Sequence, residues 1–271
     1  MREEFLNIWV HGDGQLEELL GRKIRAREKL SHWPLSYVER VTLEDNTQLV
    51  YKSQHSAASV EREFYSKIKA QFLASPVYSG DYKNCDILVL PYLGCPALGE
   101  VPEHRLEQAV LGASRMIQGI TGMPVFFDLS SAEKLARVVD GACACFDENC
   151  GNVAMLKNWV REKAPACYAN QRVGNVHGDL TAANILIEDG EPRYILDWQR
   201  PMAAPVGLES ALAFRLAGHD AAGSYGDLGI LALVCHFVWY AYASAKFLPF
   251  VFGTAEKLLL EFACLIGGGR A

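Results

Sequence analysis

The sequence predicts an α+β chain of two lobes: a small sheet-forming lobe over residues 1–90 and a mainly helical lobe over residues 91–271. Three observations lead there. Short apolar or alternating runs bounded by turn residues cluster before residue 94. Apolar stripes at three- and four-residue spacing dominate from Pro102 to Ala169. A length of 271 residues, half of them hydrophobic, suits one large domain or two small ones sharing a cleft.

Glu3 to Val10 and Gln15 to Leu20 read as short helices around the breaker His11-Gly12-Asp13-Gly14. Lys23 to Leu30 reads as an opening strand. Ser31 to Ser36 turns it into a second strand, Tyr37 to Leu43, and Glu44-Asp45-Asn46-Thr47 turns that into Gln48 to Lys52. Ser59 is a candidate N-cap for a helix whose buried stripe would be Phe64, Ile68 and Phe72. Ile87 to Leu90 is a buried strand running into the breaker Pro91 to Gly94. Leu106, Val110, Ala113, Ile117 and Ile120 form one helical stripe, and Leu135, Val138, Val139 and Ala142 another. A third helix starts at Met155 to Val160. Ile185 to Ile187 and Arg193 to Leu196 flank the turn Glu188 to Pro192, which makes a hairpin. Leu228 to Ala245 holds no formal charge over eighteen residues, the lower limit for a membrane span. It also holds His236, Tyr240, Tyr242 and Ser244, and it reads as a buried helix of the larger lobe.

A net charge of -6 and a pI near 5.7 argue against a nucleic-acid footprint. The charged start, with no apolar core region after it, is unlike a signal peptide, so a cytoplasmic protein without a membrane partner is expected. The eight cysteines then read as reduced thiols. Cys143, Cys145 and Cys150 cluster, but no matching second pair or histidine stands near, and packing is the better reading than zinc.

The chemistry concentrates in His177-Gly178-Asp179-Leu180-Thr181-Ala182-Ala183-Asn184 and in Ile195-Leu196-Asp197-Trp198. The hairpin between them brings its open ends together, so Asn184 and Asp197 arrive at one place beside Asp179. Two carboxylates and a carboxamide are hard oxygen donors, the set that suits Mg²⁺ with phosphate oxygens completing its shell.

These motifs resemble the aminoglycoside phosphotransferase and choline kinase-like family, small-molecule kinases with a protein-kinase-like fold. The resemblance covers the chain from about Tyr37 to Leu212, and its best-defined parts are the two motifs. It implies a nucleotide-binding lobe over 1–90 and a catalytic, substrate-binding lobe over 91–271. Asp179 would be the catalytic residue, and Asn184 and Asp197 would hold Mg²⁺ against ATP. Lys52 would anchor the α- and β-phosphates, held by a carboxylate of the next helix. Glu61 and Glu63 point about 200° apart on a helix, so one faces the strand. Val60-Glu61-Arg62-Glu63 resembles the family's helix motif at its second glutamate, which favours Glu63, with Glu61 as the alternative. Val50 shares the face of Lys52 and would cover the adenine ring. Pro91 has no N–H, so Leu90 or Tyr92 would donate to the adenine edge.

The sequence departs from protein kinases in three places. No glycine-rich fingerprint precedes Lys52, and Ser31 and Ser36 are the phosphate-loop candidates. Gly178 stands where an arginine would read a phosphorylated loop, and Asp197-Trp198-Gln199 lacks the usual glycine. With no sign of a protein-substrate platform, a small-molecule hydroxyl acceptor is expected. His177 is read as a brace for Asp179 and not as a base. From Pro201 on, five acids face four bases and aromatic residues abound, which favours an amino alcohol such as choline or ethanolamine, a sugar or a related metabolite. The alternatives are an aminoglycoside-type antibiotic kinase and, from another class, a catalytically idle nucleotide-binding interaction protein.

Overall fold

The computed structural model describes residues 2–5, 8–99, 103–147 and 149–267. The expected helix start at Pro102 and the basic terminal residue Arg270 lie outside them. The N-terminal part is built on strands. β1 (Arg2–Phe5) and β2 (Ile8–Val10) form an antiparallel hairpin where the sequence reading had a helix over Glu3 to Val10. Ile8 and Val10 are fully buried and Trp9 between them is not, a period of two that only a strand produces. Helix α1 (Asp13–Leu20) follows and ends on Gly21, whose φ of 64° closes it in the left-handed conformation.

A five-stranded antiparallel sheet comes next, from β3 (Ile24–Trp33), β4 (Ser36–Leu43), β5 (Gln48–His55), β6 (Tyr78–Tyr82) and β7 (Cys85–Pro91), in the order β3-β4-β5-β7-β6. Alternation along β5 and β7 divides their side chains between two cores. Leu49, Tyr51, Ile87 and Val89 pack with Ile8, Val10 and Leu16 on one face. Val50, Leu88 and Leu90 pack on the other, against Phe64 and Tyr65 of α2 (Glu61–Lys67). Phe64, Ile68 and Phe72 are all buried as expected, yet α2 stops at Lys67 and Ile68 is already extended. The stripe belongs to the core without being helical throughout.

The C-terminal part is mainly helical. It comprises α3 (Glu103–Gln118), the short β8 (Phe127–Asp128), α4 (Ala132–Cys143), α5 (Gly151–Glu162), α6 (Ala164–Ala169) and β9 (Val173–Val176). The hairpin β10 (Ile185–Glu188) and β11 (Glu191–Ile195) is followed by β12 (Met202–Pro205), α7 (Leu208–Leu216), α8 (Ala221–Tyr225), α9 (Asp227–Lys246) and α10 (Phe252–Ile266). β12 pairs with β9 and β8 in a small mixed sheet that leads into the His177–Asn184 loop. Helix α9 is long and apolar enough to cross a membrane, but 67% of its most apolar window is buried within the protein. Leu231, Val234, Phe237 and Val238 place it at the centre of the largest core, against α4, α6, α7, α8 and α10. Cys143 and Cys167 pack in the same core. The mixed α+β fold, with its sheet first and its helices after, is the one the sequence predicts.

Candidate active site

The site is assembled around the β10–β11 hairpin. Asp189 and Gly190 have φ of 53° and 84°, the pair of positive values that a two-residue hairpin turn requires. Ile185 stands opposite Ile195, and the Leu196 N–H donates to the Asn184 carbonyl at 2.9 Å. Asn184 and Asp197 therefore flank the open end of the hairpin. The Asn184 Nδ2 donates to the Asp179 carbonyl at 2.8 Å, which orients its Oδ1 away from the loop. Asp197 has φ of 65°, a strained value for a non-glycine residue and one that clusters at functional sites.

The loop before the hairpin is fixed from below. His177 is fully buried; its Nε2 bonds the Leu196 carbonyl at 2.9 Å and its Nδ1 accepts the Asp179 N–H at 3.3 Å. The ring is thus the neutral Nε2–H tautomer, and burial holds its pKa below the usual histidine value. Gly178 has φ of 83°, and a Cβ there would lie 2.5 Å from the Arg200 carbonyl oxygen. Backbone meets backbone at that point, and only glycine fits.

Lys52 joins the two parts of the site. Its Nζ lies 2.5 Å from Asp197 Oδ1 and 2.5 Å from Glu61 Oε2. Burial alone would lower the Lys52 pKa, but Asp197 and Glu61 outweigh it and hold the ammonium above the ordinary lysine range. Burial would likewise raise Asp197, and Lys52 followed by Arg200 holds it below the ordinary carboxylate range. Glu61 also accepts the Trp198 N–H at 3.1 Å.

Two expectations are corrected here. The carboxylate on Lys52 is Glu61 and not Glu63. Glu61 is the first residue of α2 and faces β5, whereas Glu63 points outward and pairs with Lys67 at 2.5 Å in solvent. The adenine-edge donors also differ. The Tyr92 N–H donates to the Gln48 carbonyl at 3.0 Å, and Leu90 stands opposite Val50 two residues earlier, in the same bonded phase of the ladder. Both groups face β5. The outward phase falls instead on Pro91, which offers its carbonyl. Val50 and Lys52 share a strand face as expected, and Val50 packs with Leu90 in the second core.

Three contributors were not identified from sequence. Arg200 Nη2 lies 2.6 Å from Asp179 Oδ2, and its guanidinium carbon lies 4.1 Å from the centre of the Trp239 ring. Glu209 of α7 is 1% exposed and accepts the N–H groups of His177 and Gly178; burial pushes its pKa up to about 7. Trp198 is fully buried, stacked on Phe64 at 4.1 Å and edge-on to His177 at 4.5 Å. Arg200 stands three residues after Asp197, and Glu209 is a lone acid in an apolar helix; both signals were present in the sequence. Asp179, Asp197, Arg200, Ser31 and Ser36 open together onto a pocket of about 320 Å³. Trp33, Phe127, Trp239 and Tyr240 form much of its wall.

The model of the phosphotransferase enzyme family matches residues 117–245, a segment that includes Asp179, Asn184, Asp197, Arg200 and Glu209. Among solved structures, a thermostable mutant of aminoglycoside phosphotransferase APH(4)-Ia in ternary complex with ADP and hygromycin B is similar over 96% of this chain and 99% of that one. Its TM-score is 0.64 at 12% identity. The macrolide 2'-phosphotransferase MphH from Brachybacterium faecium is similar over 94% and 97%, with a TM-score of 0.59 at 13% identity. A macrolide 2'-phosphotransferase type I gives 0.57 at 15% identity, over 94% and 97%. No curated protein sequence matches the chain. The chain thus shares the protein-kinase-like fold of the aminoglycoside and macrolide phosphotransferases, and the segment bearing its His177–Asn184 loop matches the phosphotransferase enzyme family.

Proposed function

We propose that this chain is a kinase that moves the γ-phosphoryl group of ATP to a hydroxyl of a small molecule. One observation carries the reading: Lys52, from a distant strand, converges with Asp179, Asn184 and Asp197 beside one pocket. Phosphoryl transfer needs positioning and charge neutralisation more than covalent chemistry. In this reading the acceptor oxygen bonds to the γ-phosphorus while the bond to the β,γ-bridging oxygen breaks, and ADP departs. The hydroxyl proton passes to Asp179, whose Oδ1 is left for it by the Arg200 bond to Oδ2. Lys52, fixed by Glu61, holds the α- and β-phosphates. Val50 covers the adenine, and the Pro91 carbonyl meets its edge. Residues 1–90 then serve the nucleotide and 91–271 the acceptor.

The donor set fits magnesium: Asn184 Oδ1 is turned away from its loop bond, and Asp197 adds a carboxylate beside it. When bound, Mg²⁺ neutralises charge on the phosphates. The neighbour bound to ADP and hygromycin B supports a nucleotide and a small-molecule acceptor on this fold. The test is ADP release with Mg-ATP across amino alcohols, sugars, nucleosides and aminoglycosides, with Asp179→Ala as control. Release that one compound drives only in the unmutated protein is expected. Failure to bind Mg-ATP would end the reading, and binding without release for any compound would favour an idle nucleotide-binding protein.

A further inference from the structure

The pocket beside Asp179 restricts the acceptor, on the kinase reading above. Its carboxylates are Asp179 and Asp197. Each already holds a cation: Asp179 holds Arg200 at 2.6 Å and Asp197 holds Lys52 at 2.5 Å. Among the described residues, no other acid lines the pocket for an incoming ammonium. Within the aromatic wall, Trp239 already carries the Arg200 guanidinium at 4.1 Å.

The remaining polar groups point the same way. Arg200 lines the pocket, and its guanidinium offers donors and no acceptor. Arg215 Nε donates to His236 Nδ1 at 3.3 Å, so the neutral His236 ring carries its proton on Nε2, a second donor. Burial, with Arg215 and Arg200, holds the His236 pKa down to about 4, so the ring adds no charge at neutral pH. A volume of about 320 Å³ lies at the low end for small-molecule pockets, room for one or two rings.

We infer that the acceptor is a compact hydroxyl compound with a flat or apolar body and no positive charge, bound between Trp33, Phe127 and Tyr240 with its polar atoms accepting from Arg200 and His236. This narrows the acceptors expected from sequence by setting aside amino alcohols and polycationic aminoglycosides.

Three matched probes test it: p-nitrophenyl β-glucoside, its glucuronide and its 2-amino-2-deoxy analogue differ chiefly in charge. Binding of each to the full chain saturated with Mg-AMP-PNP is measured by calorimetry, and phosphorylation by ADP release with Mg-ATP. The glucoside and glucuronide should bind at least ~10-fold tighter than the amino sugar, and Arg200→Gln should narrow that gap to less than ~3-fold by removing the resident cation. An amino sugar that binds as tightly as the others would overturn the inference. So would failure of all three to bind while Mg-AMP-PNP still does, which leaves the kinase reading standing. Failure of Mg-AMP-PNP itself to bind is a different result and removes both.

Discussion

Glu61 and Glu63 stand on one short helix, and substitutions at each separate a buried role from an exposed one. The Lys52 and Glu61 side chains are 8% and 2% exposed, with Nζ and Oε2 at 2.5 Å. Removing one partner of a buried pair costs ~3–5 kcal/mol when the other charge is stranded. Lys52 keeps Asp197 as a partner, so Glu61→Ala falls below that full cost. The same change also leaves the Trp198 N–H without its acceptor, a loss of ~1–3 kcal/mol. Together these give a destabilisation of about 2–4 kcal/mol for Glu61→Ala. Glu61→Gln keeps an oxygen for the Trp198 N–H and loses only the charge. Glu63 and Lys67 are 49% and 57% exposed, so Glu63→Ala should change stability by ~0.5 kcal/mol or less. Urea denaturation followed by tryptophan fluorescence measures the first readout, and the KM for ATP the second. Glu61→Gln should raise that KM at least ~10-fold, because Asp197 alone then draws the ammonium away from the phosphates. If Glu63→Ala cost as much as Glu61→Ala in either readout, the assignment of the pair would be wrong.

Asp197→Asn should weaken Mg-ATP binding ~100-fold while sparing the fold, since Lys52 retains Glu61; titration calorimetry checks it, and near-normal affinity would remove Asp197 from the metal site. Gly178→Ala places a Cβ 2.5 Å from the Arg200 carbonyl at a φ of 83°, and should cost about 2 kcal/mol or more in denaturation while slowing turnover. A neutral result there would mean that the loop can move off the backbone of Arg200. Burial pushes the Glu209 carboxyl up to about 7 from an ordinary value near 4.5, so the folded chain keeps a proton that the unfolded chain has lost. Stability should therefore fall as pH rises from about 4.5 to about 7 and then level, by about 3 kcal/mol in all. Glu209→Gln should flatten that decline between pH 5 and pH 8, and an unchanged decline would assign it to other groups.

The legibility of this site tracks how local its contacts are. Asp179, Asn184 and Asp197 lie within nineteen residues, and the Asp189-Gly190 turn that joins them has a specific backbone demand, so the hairpin could be read directly. Lys52 could be placed by its strand. Its partner could not, because the face a glutamate presents depends on where the helix begins, and Val60 rather than Ser59 is the N-cap. A one-residue shift in that start turns the helix by ~100°. Which backbone groups of Leu90 to Tyr92 are free to meet an adenine edge depends on the register of β7 against β5, which no residue near Leu90 announces. Ile8-Trp9-Val10 is too short for a period to show, and its burial comes from a sheet forty residues away. Arg200 and Glu209 acquire their roles only when β12 and α7 return beneath the loop.

Trp198 ties α2 to the His177–Asn184 loop, with Phe64 on one side of its indole and His177 at its edge. A kinase governed by swinging that helix would have to drag the indole into water at every off-step. Exposing ~200 Å² of ring costs about 5 kcal/mol. At that cost the released helix would be found in about one molecule in several thousand. On the kinase reading that rivet denies α2 the part of a dimmer, and its output would not be set by the pose of this helix.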